Sequence, residues 1–304
     1  ARIETEIVRT QQEMDRITLK AGEDAAFEAD VSGVHPQLLR LLGKPVIYDV
    51  HEDYVTAAAV RPWLPGWTRP LIAAWVQLLN AMANRAFVVV IAERYYDRSF
   101  PGAVQVLNYA KLEEYEGLTD IRRNTPKNGA IRLLYAGSIT ENRGAYHHIR
   151  LLEQMPEDAE MLLVGQCSVP SLARTLAERA VGDARFRFVF NSHWLAKERI
   201  IEAYHETWTA GLALFPDSPH YREKELTKFY EYMAAGLPIV CSNFLVWRQL
   251  IEGHELGFCG DPEDTGAAVA AIGWSIIPRR QERWANEAGG WSKSGSIGIR
   301  RCAS

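Results

Sequence analysis

The stretch IRLLYAGSITENRG, residues 131–144, decides the fold. An apolar run ends at Ala136 and is closed by Gly137, and after a short polar turn apolar residues return at helical spacing from Gly144 onward. That order reads as strand, turn, helix. A glycine at the strand end lets a ligand approach the backbone. The start of the following helix offers free N–H groups and the positive end of a dipole, both suited to phosphate. Arg143 adds a cationic fork able to clasp phosphate oxygens. Taken alone, a plain strand–helix turn with a solvated arginine is the better account of the segment.

Working outward, the same unit recurs. Strands are predicted at 131–136, 160–164, 185–190, 210–215, 238–242 and 256–259, with helices at 144–155, 168–180, 195–206, 225–235, 245–253 and 262–273. Strict alternation argues a parallel sheet covered on both faces, doubly wound, with ligands at the carboxyl ends of its strands. The first half repeats the theme with a polar helix over 3–24 and strands near 28–31, 45–49, 86–91 and 103–106. The expected organisation is a first α/β domain over 1–115, a polar linker over 116–130, a second domain over 131–274 and a basic, glycine-containing tail over 275–304 that is partly disordered.

Composition narrows the function classes. The 304 residues fit two domains at roughly 150 residues each. Apolar residues make up 47% and charged residues 24%, which excludes a disordered or coiled-coil chain. The net charge of −4 makes the chain a poor binder of nucleic acid by charge alone. Cys167, Cys241, Cys259 and Cys302 form no C-x-x-C pair and read as small buried hydrophobes in a reducing compartment. A secretory leader is not expected, since the opening residues show no basic–apolar–small-residue pattern. The long apolar stretch 71–91 is interrupted by Gln77, Asn80, Asn84 and Arg85, which excludes a bilayer span.

A second constellation is Glu223, Lys228 and Glu231 in EKELTKFYE, running into YMAAGLP. Lys228 and Glu231 share a helical face, and a lysine beside a glutamate suits a phosphate and a pair of sugar hydroxyls. A surface i,i+3 salt bridge is the plain alternative. Together the two constellations resemble one family. KFYEYMAAGLPIVCSN (228–243) is similar to the signature of retaining GT-B glycosyltransferases of the family-four type, and LLYAGSITENRG (133–144) to that family's glycine-ended strand and turn. LLVG (162–165), LIEGHELG (250–257), DPED (261–264), VIYDVHEDY (46–54) and VLNY (106–109) extend the resemblance over roughly 26–273.

The resemblance implies a GT-B architecture, two Rossmann-like domains facing a cleft, and a hexosyltransferase that uses a UDP- or GDP-linked sugar with retention of anomeric configuration. It implies donor binding by Gly137, Ser138, Arg143, Gly144, Glu223, Lys228 and Glu231. Glu231 would hold the ribose hydroxyls, Arg143 and Lys228 the diphosphate as it leaves, and Glu223 the donor sugar. His51 would stand near the reacting sugar, so the catalytic set is His51, Arg143, Lys228 and Glu223. Because these cations replace the metal of Asp-x-Asp transferases, no metal and no other cofactor is expected. Two departures stand out: Ser138 replaces a common arginine, and VHPQLL (34–39) lacks the acidic residue of the related H-D-P-E-L-L. The first domain is expected to lack its opening strand–helix unit, and the tail its closing helix. The expected acceptor is a glycan or a lipid-linked sugar, in the cytoplasm or at the inner face of the membrane. RPWLPGWTR (61–69) suits a membrane interface as well as it suits a loop whose tryptophans pack on the domain. Two other functions share the donor residues: a non-catalytic nucleotide-sugar-binding protein and a nucleotide-sugar epimerase.

Overall fold

The structure, a computed structural model, describes residues 47–50, 54–56, 65–107, 109–110, 112–115, 118, 130–193 and 195–275. The predicted helix at 3–24, the strand at 28–31, His51, nearly all of the 116–130 segment and the tail beyond 275 lie outside them. The chain divides into two units that part between residues 108 and 109.

The first unit holds a parallel sheet of β1 (Ile47–Val50), β2 (Val88–Ile91) and β3 (Val104–Gln105), in that order. The helix α1 (Arg69–Ala86) joins β1 to β2, with a proline in its first turn where a missing N–H costs nothing. Val50, Val89, Ile91, Tyr96 and Phe100 form a small core of their own.

The second unit carries the site. Its strands are β4 (Arg132–Ala136), β5 (Glu160–Gln166), β6 (Phe186–Asn191), β7 (Ala210–Ala213), β8 (Ile239–Ser242) and β9 (Gly257–Gly260). Between them run α2 (Ala145–Gln154), α3 (Pro170–Gly182), α4 (Lys197–Tyr204), α5 (Thr227–Ala234) and α6 (Leu245–Ile251), and α7 (Thr265–Ser275) follows β9. The order β6-β5-β4-β7-β8-β9 is parallel throughout. This is the doubly wound order, and its direction reverses between β4 and β7. The inner strands read as unbroken apolar runs because both of their faces are covered: Leu133, Met161, Leu212 and Ile239 are fully buried.

Each strand and helix predicted for this unit is present within a few residues. The clearest difference is β7, which stops at Ala213 although the apolar run continues to Phe215. The cause is local: the N–H of Leu214 is taken by His148 Nε2 at 3.1 Å instead of by a neighbouring strand. Cys167, Cys241 and Cys259 are buried free thiols, as expected. Cys302 lies outside the described residues.

Candidate functional site

The crevice where strand order reverses is bordered by the loops that follow β4 and β7. The β4 loop is shaped by two glycines. Gly137 has φ 118°, and a Cβ there would stand 3.7 Å from the Lys228 ammonium, so the bare backbone leaves the lysine uncovered by a side chain on that side. Gly144 has φ 76° and packs against the carbonyl of Leu214. Between them Thr140 caps a single 3-10 turn, Glu141–Arg143, its hydroxyl accepting from the Arg143 N–H at 3.2 Å. Ser138 offers its carbonyl to the Tyr135 hydroxyl at 2.6 Å.

Lys228 enters from the second turn side, on α5 just after the β7 loop. It is 6% exposed, and its Nζ has no hydrogen-bond partner among the described residues. Nζ lies 3.5 Å from the centroid of the Tyr135 ring and 5.3 Å from that of Phe215. The two rings offer their negative faces, a partial substitute for water. Burial, and then the neighbouring Arg143 guanidinium, hold the Lys228 pKa well below its ordinary range, and Glu231 offsets this only in part. Arg143 Nε reaches the Tyr221 hydroxyl at 3.4 Å. Two cations therefore converge beside the β4 terminus with too few acceptors between them, an arrangement that favours an anion.

Glu231 lies one helical turn beyond Lys228 and accepts from the Tyr204 hydroxyl at 3.0 Å. Burial raises its pKa above the ordinary 4.5, against the lowering effects of Tyr204 and Lys228. A raised carboxylate pKa favours the protonated folded state, so stability is greatest below 4.5 and falls as pH rises through the folded value. Glu231→Gln removes this penalty. The variant is expected to melt at a higher temperature than the parent at pH 7 while binding a nucleoside diphosphate more weakly and pyrophosphate equally well. Equal losses for both ligands in calorimetry would assign Glu231 to the phosphates instead.

The structure thus brings Gly137, Arg143, Gly144, Lys228 and Glu231 together around one crevice, with Ser138 present through its backbone. Glu223 is exposed and lines a neighbouring cavity of about 560 Å³ with Asp217, Arg222, Asn243, Phe244 and Asp261. His147 and His148 point apart: His147 Nε2 meets Glu263 at 2.6 Å, while His148 faces Leu214 and the Tyr135 ring. Sequence reading missed Tyr135, Tyr221, Tyr204 and His148. Tyr135 had one signal, an aromatic residue two positions before the strand-end glycine. His148, one turn beyond Gly144, and Tyr221, two residues before Glu223, are near in sequence but carry no mark of facing the site, and Tyr204 meets Glu231 only through packing.

Over residues 118–289 the sequence matches the family described as glycosyl transferases group 1. The chain belongs to that family. Its two parallel α/β units are Rossmann-like, as in the GT-B fold. Solved structures agree on the fold. HepE of Anabaena in complex with UDP-glucose is 15% identical with a TM-score of 0.59, the similarity covering 85% of this chain and 70% of that one. The alpha,alpha-trehalose 6-phosphate synthase of Burkholderia multivorans is 10% identical with a TM-score of 0.56, covering 86% and 66%. Separately, a segment of 44 residues is 50% identical to Ribonuclease Y of Thermoanaerobacter pseudethanolicus. It spans 14% of this chain and 9% of the Ribonuclease Y chain, too little of either to carry an activity.

Proposed function

We propose that this glycosyltransferase moves a hexose from a nucleoside-diphosphate sugar to a glycan or lipid-linked acceptor, with retention of configuration and without a metal. The observation that carries this reading is the buried Lys228 ammonium, which has no hydrogen-bond partner among the described residues and stands beside Gly137 at the strand terminus. Breaking the bond between the anomeric carbon and the diphosphate gathers negative charge on the leaving group. Lys228 and Arg143 converge beside the strand terminus and suit the charge that would develop there, already oriented and largely dry. Glu231 suits the ribose hydroxyls, and Glu223 the donor sugar from the adjoining cavity. A leaving-phosphate oxygen can take the acceptor's proton, so no further base is assigned. The second unit holds the donor and the first serves the acceptor. Three buried free thiols fit a reducing, cytoplasmic setting. HepE was solved with UDP-glucose, which makes UDP-linked hexoses the first donors to try.

The test has two arms. A matching nucleoside diphosphate at a hundred times its dissociation constant should stabilise the folded chain by about 2.7 kcal/mol, read as a melting shift across a panel of bases. Labelled hexose should then pass from the matching donor to an added acceptor, the product's anomeric configuration being read by nuclear magnetic resonance. A melting shift without transfer would leave a nucleotide-sugar-binding protein; no shift for any base would overturn the donor site.

A further inference from the structure

Tyr204 is the last residue of α4 and is 2% exposed. A tyrosine buried that deeply needs a partner for its hydroxyl. The partner here belongs to the donor site: the hydroxyl donates to Glu231 Oε2 at 3.0 Å. The ring is held from two sides. Tyr115 meets it edge-on with 5.2 Å between centroids, and Tyr232 lies tilted at 6.0 Å. Tyr115 ends a single 3-10 turn, Leu112–Tyr115, that packs on both α4 and α5. Packing thus fixes the tyrosine, and the fixed hydroxyl fixes the carboxylate.

An ionised carboxylate has two oxygens and only accepts; a protonated one has turned one oxygen into a donor. Two neighbouring sugar hydroxyls, both donating, therefore need the ionised form. Burial works against it and raises the Glu231 pKa. The Tyr204 hydroxyl is the foremost lowering influence, ahead of Lys228 and Lys197, because a hydrogen bond to the charged form favours that form. Lys197 is already engaged, its Nζ standing 2.5 Å from Glu114 Oε2, and Glu114 itself raises the Glu231 pKa. Burial raises the pKa of Tyr204, Tyr115 and Tyr232 as well, so all three stay neutral and Tyr204 stays a donor.

We propose that Tyr204 is a positioning residue for nucleoside recognition: its hydroxyl holds Glu231 Oε2 and leaves Oε1 for the ribose. This rests on the reading of Glu231 as the ribose contact, and adds a residue on another helix that acts through it. The alternative is a plain anchor between α4 and α5. An anchor would serve every ligand of the crevice alike, whereas a positioning residue serves only those that carry a ribose.

Calorimetry on the full chain with two probes separates these accounts: inorganic pyrophosphate, and UDP or whichever nucleoside diphosphate gives the largest melting shift. Tyr204→Phe keeps the ring and its packing. It should weaken the nucleoside diphosphate about tenfold, the scale of one hydrogen bond, and leave pyrophosphate at the parental affinity, which also reports an intact fold. Nucleoside diphosphate affinity should fall on the acid side as Glu231 protonates. Without the hydroxyl the Glu231 pKa rises further, so that fall should move to higher pH, with no such move for pyrophosphate. On a Glu231→Ala background Tyr204→Phe should cost the nucleoside diphosphate nothing more, since the two groups act as one. Equal losses for both probes, an unmoved pH profile, or a further loss on the Glu231→Ala background would overturn the proposal and leave Tyr204 an anchor. Failure of the ribose reading itself looks different: Glu231→Gln would then bind the nucleoside diphosphate as tightly as the parent, and the role of Tyr204 would fall with it.

Discussion

Replacing Lys228 with methionine is expected to raise the stability of the ligand-free protein while weakening nucleoside diphosphate binding by ~1.5–3 kcal/mol, the worth of a hydrogen bond to a charged group. Both effects come from the same geometry. Among the described residues the buried Nζ has no hydrogen-bond partner, and the faces of Tyr135 and Phe215 lie beside it. An apolar side chain of similar length gives up the ring faces and the attraction of Glu231 but sheds the larger cost of desolvation. A diphosphate supplies the missing acceptors, so the lysine is strained without ligand and satisfied with it.

The linkage to protons gives an independent check. The folded pKa of Lys228 lies below its ordinary 10.5, so between the two values the unfolded chain holds more protons. Stability from this group therefore rises with pH across that window and is complete only above 10.5. Bound diphosphate should raise the folded value and flatten the rise. Calorimetry in buffers of different ionisation enthalpy should also register proton uptake on binding near the folded pKa, and Lys228→Met should abolish it. A methionine variant that binds the diphosphate as tightly as the parent would remove Lys228 from the phosphate site.

What the sequence made legible follows from how each feature is encoded. The second unit's strands announce themselves because buried parallel strands are continuous apolar runs between helices of clear period. The roles of Lys228 and Glu231 were less plain, since an i,i+3 pair of opposite charge reads equally as a surface bridge. Burial separates the two readings: Glu231 accepts from Tyr204, and Lys228 lies over Tyr135. Burial at that depth depends on α5 packing beside β4, a contact that spacing along the chain does not reveal. His148 shows the same limit. Its ring lies against Tyr135 and its Nε2 holds Leu214, which both ends β7 and fixes the loop above it. In sequence it is one of two adjacent histidines on a helix, and nothing marks it as the one that faces inward.

That fixed loop makes Gly144→Ala a strongly destabilising substitution in the second unit. At φ 76° an alanine pays the left-handed penalty of roughly 1–2 kcal/mol. Its Cβ would also fall 1.7 Å from the Leu214 carbonyl oxygen and 2.7 Å from the carbonyl carbon, so backbone must move. Leu214 cannot yield freely, because its N–H is held by the buried His148. Overpacking of this kind costs roughly 1–3 kcal/mol more, giving a total of about 2–5 kcal/mol in denaturant unfolding. Gly137→Ala separates the two causes. Its φ of 118° is also unfavourable to a side chain, yet the nearest atom to its Cβ is the Lys228 Nζ at 3.7 Å, an ordinary contact. It should therefore cost only the backbone share of stability, roughly 1–3 kcal/mol, while its methyl group covers the lysine and weakens diphosphate binding. If Gly144→Ala proves no more destabilising than Gly137→Ala, the close approach of the β4 loop to Leu214 is wrong, and with it the placement of Arg143 beside Lys228.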